Sequence, residues 1–161
     1  KNIKSETKKL LSKLEVKYEE SGHTEKLFKD SNEIIISPGI DLSSLIKSKP
    51  SLKKKKIISE VEFASRYTNA FIIAVTGTNG KTTTSKLIYH ILKNSGFNVG
   101  LAGNIGYSFS ESIVENQFDY YVIEVSSFQL DHIINFRPDI SIITNISPDH
   151  LDRYDLSLIH I

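Results

Sequence analysis

Apolar runs and amphipathic segments alternate along the chain, which is the pattern of strands joined by helices. The clearest run, residues 71–75, is rich in β-branched and aromatic side chains and predicts a buried strand. A glycine-containing turn at residues 77–80 connects it to a segment of helical periodicity at residues 81–94, and Gly96 is the expected end of that helix. The apolar positions predicted to share one face of the helix are Leu87, Ile88, Ile91 and Leu92.

Further elements are predicted on both sides of this unit. Strands are predicted over residues 33–36, 56–59, 97–101, 120–124 and 140–144. Helices are predicted over residues 5–14, 42–49, 108–115 and 127–136. Strands that alternate with helices favour βαβ units around a parallel sheet, which is the α/β class. The polar pair Thr68-Asn69 precedes the buried strand, and we place a domain boundary near residue 69.

The composition narrows the range of functions. The 161 residues suffice for one domain, or for one domain and part of another. A net charge of +1 gives little support to a nucleic-acid-binding protein, which usually carries a marked basic excess. The chain has no cysteine and no apolar run long enough to span a bilayer, and its basic first residues lack the apolar stretch of a signal peptide. We therefore expect a globular protein, compatible with the cytoplasm, whose partners include neither nucleic acid nor membrane.

The turn between the buried strand and the following helix carries the signature of a phosphate-binding loop. Gly77, Gly80, Lys81 and Thr82 form the pattern G-x-x-G-K-T, and the usual earlier glycine falls on Val75. In such a loop, backbone N–H groups and the helix N-terminus face the anion, the lysine reaches the β- and γ-phosphates, and the hydroxyl binds Mg²⁺. The alternative is a tight strand–helix turn that contains Lys-Thr by accident.

Polar side chains also follow other predicted strands, where ligands of open α/β sheets bind. Glu124 ends an apolar strand at the position where a phosphate-loop protein needs a carboxylate for Mg²⁺, although a surface glutamate would give the same pattern. Asn104 lies in a glycine-rich turn and can present an amide to a substrate or serve the turn alone. Beyond the last strand, Asp149, His150 and Asp152 lie close together, and His150 is a candidate for a metal, a substrate group or a helix cap.

Six ordered segments together carry a family resemblance: IISPGI (35–40), SEVEFASR (59–66), VTGTNGKTTT (75–84), AGNIG (102–106), IEVSSFQL (123–130) and ITNISPDHLDRY (143–154). They resemble the Mur ligases, the ATP-dependent amide ligases of peptidoglycan synthesis. The GTNGKT form of the loop is the family's own, which accounts for the missing first glycine. Within the family, SSFQL, NIG and SPDHLDRY are most similar to the branch that adds D-glutamate.

The resemblance implies a chemistry and a set of partners. ATP would phosphorylate the terminal carboxylate of UDP-N-acetylmuramoyl-L-alanine, and the amine of D-glutamate would attack the resulting acyl phosphate. The family further implies Mg²⁺, a monomer, a cytoplasmic location, and a role in cell wall biogenesis, cell shape and division.

The resemblance also assigns roles residue by residue. Lys81 and His150 match catalytic positions, and Thr82, Glu124 and His150 match metal ligands. The positions that match the loop for the ATP phosphates are Gly77, Thr78, Asn79, Gly80, Lys81, Thr82 and Thr83. The positions that match contacts to the UDP-linked substrate are Ser37, Gly39, Asn104 and Ser126.

The fold class expected from the family is α/β, with part of a Rossmann-like N-terminal domain followed by the first half of a P-loop parallel-sheet ATP-binding domain. We expect the domains to be residues 1–69 and 70–155, with a non-native tail at 156–161. The family's first strand with its UDP loop, its carbamylated lysine and its C-terminal domain have no counterpart in the sequence. We therefore expect this chain, by itself, to be inactive.

Three alternatives remain at this level. The first is another Mur ligase or a ligase like folylpolyglutamate synthase, against which SSFQL and NIG argue. The second is a phosphate-loop module that binds nucleotide without ligation, which would not need polar residues at successive strand ends. The third is a truncated product with no function of its own, which is compatible with a ligase parent.

Overall fold

The structure, a computed structural model, describes residues 3–147. Within that range the helices are α1 (Ser5–Lys13), α2 (Glu25–Asp30), α3 (Leu42–Ser48), α4 (Glu60–Ala64), α5 (Lys81–Asn94), α6 (Phe109–Glu115) and α7 (Ser127–Leu130). The strands are β1 (Glu33–Ile36), β2 (Lys56–Ser59), β3 (Phe71–Thr76), β4 (Val99–Gly103), β5 (Tyr120–Glu124) and β6 (Ile140–Ile143). Short 3₁₀ helices occupy Pro50–Lys54 and Ser65–Tyr67. Among the described helices, none combines the length and the apolar composition that crossing a lipid bilayer requires.

The chain divides into two compact units, of which the first comprises Lys1–Ile34 and Asp41–Lys56. Its buried apolar side chains in the described range are Phe28 and Leu52, which is a small core. Polar bonds supplement that core. Lys55 donates from Nζ to the backbone oxygens of Lys29 at 2.7 Å and Ser31 at 2.5 Å. This unit therefore depends on polar cross-links between segments as well as on apolar burial.

The second unit comprises Ile35–Ile40 and Ile57–Ile161, and it contains a parallel four-stranded sheet. The strand order is β4-β5-β3-β6, with β3 paired to β5 on one side and to β6 on the other. The register aligns Phe71 with Tyr120 and Val99 with Tyr120, so β3, β4 and β5 begin at the same level. Their carboxyl ends consequently lie along one edge. The predicted α/β class with a parallel sheet is confirmed.

Both faces of the sheet are covered by helices. Along β3, Ile72 and Ala74 belong to one buried cluster, and Ile73 and Val75 belong to the other, as the alternation of side chains in a strand requires. The first cluster includes residues of α4 and α6: Val61, Ala64 and Phe109. The second is packed by residues of α5: Ile88, Tyr89 and Leu92. The unit is a three-layer α/β structure with β3 and β5 at its centre.

Two predicted elements differ from the structure by more than one residue. The strand predicted at 97–101 is Val99–Gly103, because the Phe97 N–H is taken by the Leu92 carbonyl at the end of α5. The helix predicted at 127–136 ends at Leu130, and the N–H groups of Ile134, Asn135 and Phe136 bind the Glu62 carboxylate instead of helical carbonyls. On the predicted apolar face of α5, Leu87 and Ile91 are more than half exposed, and Ile88 and Leu92 pack against the sheet.

The compact units divide between residues 56 and 57, ahead of the boundary predicted near residue 69. The reason is α4, which precedes β3 in the chain but packs into the core of the second unit. Val61 and Ala64 of this helix are buried, and Glu62 is 1% exposed. Its Oε2 accepts the N–H groups of Ile134, Asn135 and Phe136 at 2.7 to 3.0 Å. The domain limits 1–69 and 70–155 remain predictions, and the tail at 156–161 lies outside the described residues.

Candidate functional site

The carboxyl edge of the parallel sheet brings four polar loops together. β3 leads into the glycine-rich loop before α5, and β4 ends in Gly103 with Asn104 next in the chain. β5 ends in Glu124, and β6 is followed by Thr144 and Asn145. Parallel pairing of adjacent strands fixes these ends on one side of the sheet. This edge is where an open α/β sheet binds its ligands.

The loop between β3 and α5 has the geometry of an anion site. Gly77 has a φ of 131°, and a Cβ there would lie 2.2 Å from Thr144 Oγ1, so a side chain at this position is excluded. α5 begins at Lys81 after Gly80 as its N-cap. The N–H groups of the first helical turn have no acceptor inside the helix and face the loop with the positive end of the helix dipole. An anion at this point would satisfy them.

The Lys81 side chain bends back over the loop. Its Nζ donates to the backbone oxygens of Gly77 at 2.7 Å and Thr78 at 2.8 Å. A bound phosphate would offer this ammonium group charged acceptors in place of neutral carbonyls, and charge-assisted bonds are the stronger ones. The position of the lysine is therefore compatible with its predicted contact to the β- and γ-phosphates.

Glu124 is the most unusual group at this edge, because it is a carboxylate with 2% exposure. Thr82 Oγ1 donates to its Oε2 at 2.7 Å, and Asn104 Nδ2 donates to its Oε1 at 2.9 Å. Among the described residues, both side chains that donate to the Glu124 carboxylate are uncharged. Gly103 makes this arrangement possible, since a Cβ there would lie 2.3 Å from the Glu124 backbone oxygen.

The chemistry of these donors fits a magnesium ion. A buried carboxylate whose partners carry no charge is stabilised by a nearby cation, and a carboxylate with a hydroxyl is a typical oxygen pair for Mg²⁺. Thr82 and Glu124, both predicted as metal ligands, are in direct contact. Residues 3–147 contain no cluster of three or more His, Cys, Asp or Glu side chains, so the protein side of the site rests on this pair. The predicted third ligand, His150, lies outside the described residues.

The predicted substrate residues occupy different positions. Asn104 lies in the site, with its amide on Glu124 and its backbone N–H on the Glu124 carbonyl at 2.8 Å. Ser126 is the N-cap of α7, where its backbone N–H and its hydroxyl both donate to Gln129 Oε1. Ser37 and Gly39 are exposed in the turn after β1, closed by an Ile40 N–H bond to the Ser37 carbonyl at 3.3 Å. Of these residues, Asn104 is the one bonded to the predicted metal ligand.

The backbone of the loop is also engaged by the segment that follows β6. The N–H groups of Thr78 and Asn79 donate to Asn145, and the Asn79 carbonyl accepts from both Thr144 and Asn145. These two loop N–H groups therefore have protein acceptors, and the contact of Thr78 and Asn79 with phosphate stays a prediction. Sequence analysis missed Thr144 and Asn145, although their place directly after a strand in ITNISPDH was a signal that could have identified them.

Two family models match this chain. The Mur ligase middle domain matches residues 75–157, and the MurD N-terminal domain matches residues 1–46. The first match includes the glycine-rich loop, Asn104 and Glu124, and extends past the last described residue.

Several curated proteins are similar over most of the chain. It is 52% identical to a UDP-N-acetylmuramoylalanine–D-glutamate ligase of Bacteroides thetaiotaomicron, over 95% of this chain and 34% of that protein. It is 49% identical to the ligase of the same name from Porphyromonas gingivalis, over 92% of this chain and 33% of that protein. The chain thus spans about a third of the length of these relatives.

A solved structure is also similar, that of a UDP-N-acetylmuramate:L-alanyl-gamma-D-glutamyl-meso-diaminopimelate ligase from Neisseria meningitides. Its sequence identity is 21% and its TM-score is 0.49, over 95% of this chain and 53% of that one. The motif resemblance is confirmed by the two family models and by the curated relatives, and the middle-domain match covers more than half of the 161 residues. The chain belongs to the Mur ligase family.

Proposed function

We propose that this chain supplies the nucleotide-binding part of a longer ATP-dependent ligase. In this proposal the full-length protein, a chain of the length of the curated relatives, joins D-glutamate to UDP-N-acetylmuramoyl-L-alanine in peptidoglycan precursor synthesis. The names of those relatives and the MurD N-terminal match favour this member of the family over other Mur ligases and folylpolyglutamate synthase. The chain alone is inactive in this proposal.

The observation that carries the proposal is the buried Glu124 carboxylate beside Thr82, at the start of the helix that bears Lys81. The first turn of α5 binds the phosphates of ATP through its N–H groups, and Lys81 leaves its carbonyl partners to contact the β- and γ-phosphates. Thr82 and Glu124 hold Mg²⁺, with His150 as a further ligand. When bound, Mg²⁺ would neutralise negative charge on the phosphates.

The proposed reaction has two steps. A carboxylate oxygen of the UDP-linked substrate attacks the γ-phosphorus of ATP, the bond to the β,γ-bridging oxygen breaks, and ADP leaves. The amine of D-glutamate then attacks the acyl carbon, phosphate leaves with the carbon–oxygen bonding pair, and the amine loses a proton. Lys81 and the N–H groups of the first helical turn stabilise the charge that moves onto the phosphate oxygens in the first step.

Residues at neighbouring strand ends position the UDP-linked substrate in this proposal. Asn104, Ser126 and His150 contact this substrate, and Ser37 and Gly39 approach its nucleotide part. Asn104 donates to Glu124, which supports a role in connecting substrate placement to the phosphate chemistry. The protein acts as a cytoplasmic monomer.

The test is phosphate release from ATP by the full-length protein, supplied with UDP-N-acetylmuramoyl-L-alanine and a panel of amino acids. We expect release that requires D-glutamate and that Lys81→Ala abolishes. Lys86→Ala is the matched control, because Lys86 is an exposed lysine on the same helix and should leave the rate unchanged.

Other outcomes identify other functions. Release that requires L-alanine, L-lysine or meso-diaminopimelate, each with its own UDP-linked acceptor, would keep the ligase mechanism and move the protein to another step. Nucleotide binding without release for any pair would replace the proposal with a nucleotide-binding module. D-glutamate-dependent turnover by residues 1–161 alone would overturn the expected inactivity of this chain.

A further inference from the structure

The segment at residues 144–147, which follows β6, is hydrogen-bonded to the phosphate loop through Thr144, Asn145 and Ser147. We call residues 144–147 the β6 exit segment. It reaches the loop at Thr76, Thr78 and Asn79. Loop conformation is therefore set by a second strand end, and not by β3 and α5 alone.

Asn145 makes three of these bonds. Its backbone oxygen accepts the Thr78 N–H at 3.1 Å, and its Oδ1 accepts the Asn79 N–H at 3.0 Å. Its Nδ2 donates to the Asn79 carbonyl at 2.8 Å. The side-chain amide thus pairs with both polar groups of one loop residue, which fixes the orientation of the peptides on either side of Asn79.

Thr144 also donates a hydrogen bond to Asn79. Its Oγ1 lies 2.6 Å from the Asn79 carbonyl and 3.2 Å from the Thr76 carbonyl, and its single hydroxyl hydrogen favours the shorter bond. The same oxygen occupies the space that a Cβ on Gly77 would need. The Thr144 hydroxyl therefore lies against the backbone of Thr76, Gly77 and Asn79.

These contacts matter because a glycine-containing loop is otherwise free to adopt many conformations. Ordering the loop when a ligand binds would cost conformational entropy, and a loop fixed beforehand avoids that cost. The bonds from Thr144 and Asn145 engage the Thr76 carbonyl, the Thr78 N–H and both backbone groups of Asn79. The N–H groups of the first turn of α5 remain to face the ligand.

We propose that Thr144 and Asn145 are positioning residues for the phosphate loop, which hold it in the conformation that presents the first turn of α5 and Lys81 to the phosphates of ATP. The inference rests on the proposed function for the identity of the ligand. It assigns the two residues no contact with substrate. It predicts that replacing either residue has a larger effect on the affinity for the triphosphate than on the free energy of unfolding.

The test uses the full-length protein and four variants: Asn145→Ala, Thr144→Val, Thr144→Ser and Asn98→Ala. Thr144→Val keeps the shape of the side chain without its hydroxyl, and Thr144→Ser restores the hydroxyl. Asn98→Ala is the matched control, since Asn98 Nδ2 also donates to a backbone carbonyl, that of Gln117 at 3.1 Å, at the opposite end of the sheet.

The readouts are the Kd of a non-hydrolysable ATP analogue with Mg²⁺, the Kd of the UDP-linked substrate, and the urea midpoint of unfolding. We expect Asn145→Ala and Thr144→Val to weaken the ATP analogue by about tenfold, which one or two lost hydrogen bonds would produce. Thr144→Ser and Asn98→Ala should remain within about twofold of the wild type, and all four variants should bind the UDP-linked substrate like the wild type. A role limited to the fold would weaken both ligands together.

Several results would overturn the inference. These are unchanged or tighter binding of the ATP analogue in Thr144→Val, failure of Thr144→Ser to restore it, and parallel loss of both ligands. If Asn145→Ala does not fold, the Thr144 pair decides. The affinity ratios are measured without any amino acid, so a protein that binds the analogue but shows no D-glutamate-dependent turnover refutes the proposed function and leaves this test valid. A wild type that binds no nucleotide refutes both.

Discussion

Glu62 and Glu124 belong to the same compact unit, and both are almost completely buried, at 1% and 2% exposure. Glu62 accepts three backbone N–H groups and contacts the Arg66 guanidinium at 3.3 Å. Glu124 accepts from a hydroxyl and an amide, neither of which is charged. The two buried glutamates therefore differ in the groups that compensate their charge.

This difference distinguishes Glu62, whose carboxylate serves the fold, from Glu124, whose carboxylate is suited to binding a ligand. Burial by itself acts to raise the pKa of the Glu62 carboxyl, but the N–H groups of residues 134–136 and Arg66 outweigh it and hold the pKa below its ordinary value. The group is thus ionised and satisfied within the protein. Glu124 has no such cation among its partners in residues 3–147, and a magnesium ion would complete its environment.

The comparison is tested most strongly at Glu124. We expect Glu124→Gln to reduce ATP-dependent turnover of the full-length protein by about 10²–10³, because it removes the charge that holds Mg²⁺. The fold should be retained, since the glutamine oxygen can still accept from Asn104 and the glutamine NH₂ can donate to the Thr82 hydroxyl. Turnover with varied Mg²⁺ and the urea midpoint of unfolding measure the two effects. A large loss of stability with normal turnover would reverse the assignment.

Glu62 should show the opposite response. We expect Glu62→Gln to lower the free energy of unfolding by about 3 kcal/mol, because the neutral amide replaces a buried, charged acceptor. Hydrogen exchange of the amides at residues 134–136 should become faster in the variant. The Kd of an ATP analogue should stay near the wild-type value in the folded fraction. Selective loss of nucleotide binding without destabilisation would contradict the structural role.

The pH dependence of stability sharpens the assignment further. The pKa of the Glu62 carboxyl is lowered in the folded state, so its ionisation contributes stability above the ordinary value of about 4.3. That contribution is lost as pH falls through the lowered folded pKa. The stability difference between wild type and Glu62→Gln should be constant from about pH 6 upward and should shrink below about pH 4. Urea titrations across this range measure the difference, and a gap that widens on acidification would contradict it.

The smallest effect is expected at Arg66, whose side chain is 34% exposed. Arg66→Gln should cost about 0.5–1 kcal/mol of unfolding free energy, because solvent screens a half-buried ion pair and the backbone donors to Glu62 remain. Urea unfolding at low and high salt measures the cost. A loss as large as that of Glu62→Gln would mean that the ion pair, and not the backbone, compensates Glu62.

Much of the fold could be predicted from local patterns. The strand at Tyr120–Glu124 and the helix at Lys81–Asn94 have the predicted bounds, since each is a continuous pattern with a clear end. The end of the helix predicted at 127–136 could not be corrected from sequence, because the N–H groups of residues 134–136 bind Glu62, which lies 72 residues before Ile134. The division of the units depends likewise on where α4 packs.

The candidate site shows the same limit. Motif and context predicted Lys81, Thr82 and Glu124 as site residues, because a glycine-rich turn and a carboxylate after apolar strands are visible in the sequence. The contacts of Thr144 and Asn145 with the glycine-rich loop were not visible, since their partners there are more than 60 residues away. Asn104 was predicted as a substrate contact, and its bond to Glu124 could be recognised only when β4 and β5 were paired.

The sequence by itself determined the α/β class, the strand that precedes the phosphate loop and the family, because periodicity and contiguous motifs are local properties of the chain. Only the tertiary structure decided which of two buried glutamates is compensated by the protein, and which strand end supports the loop. Compensation of a buried charge depends on donors within about 3 Å, and the fold gathers those donors from distant segments.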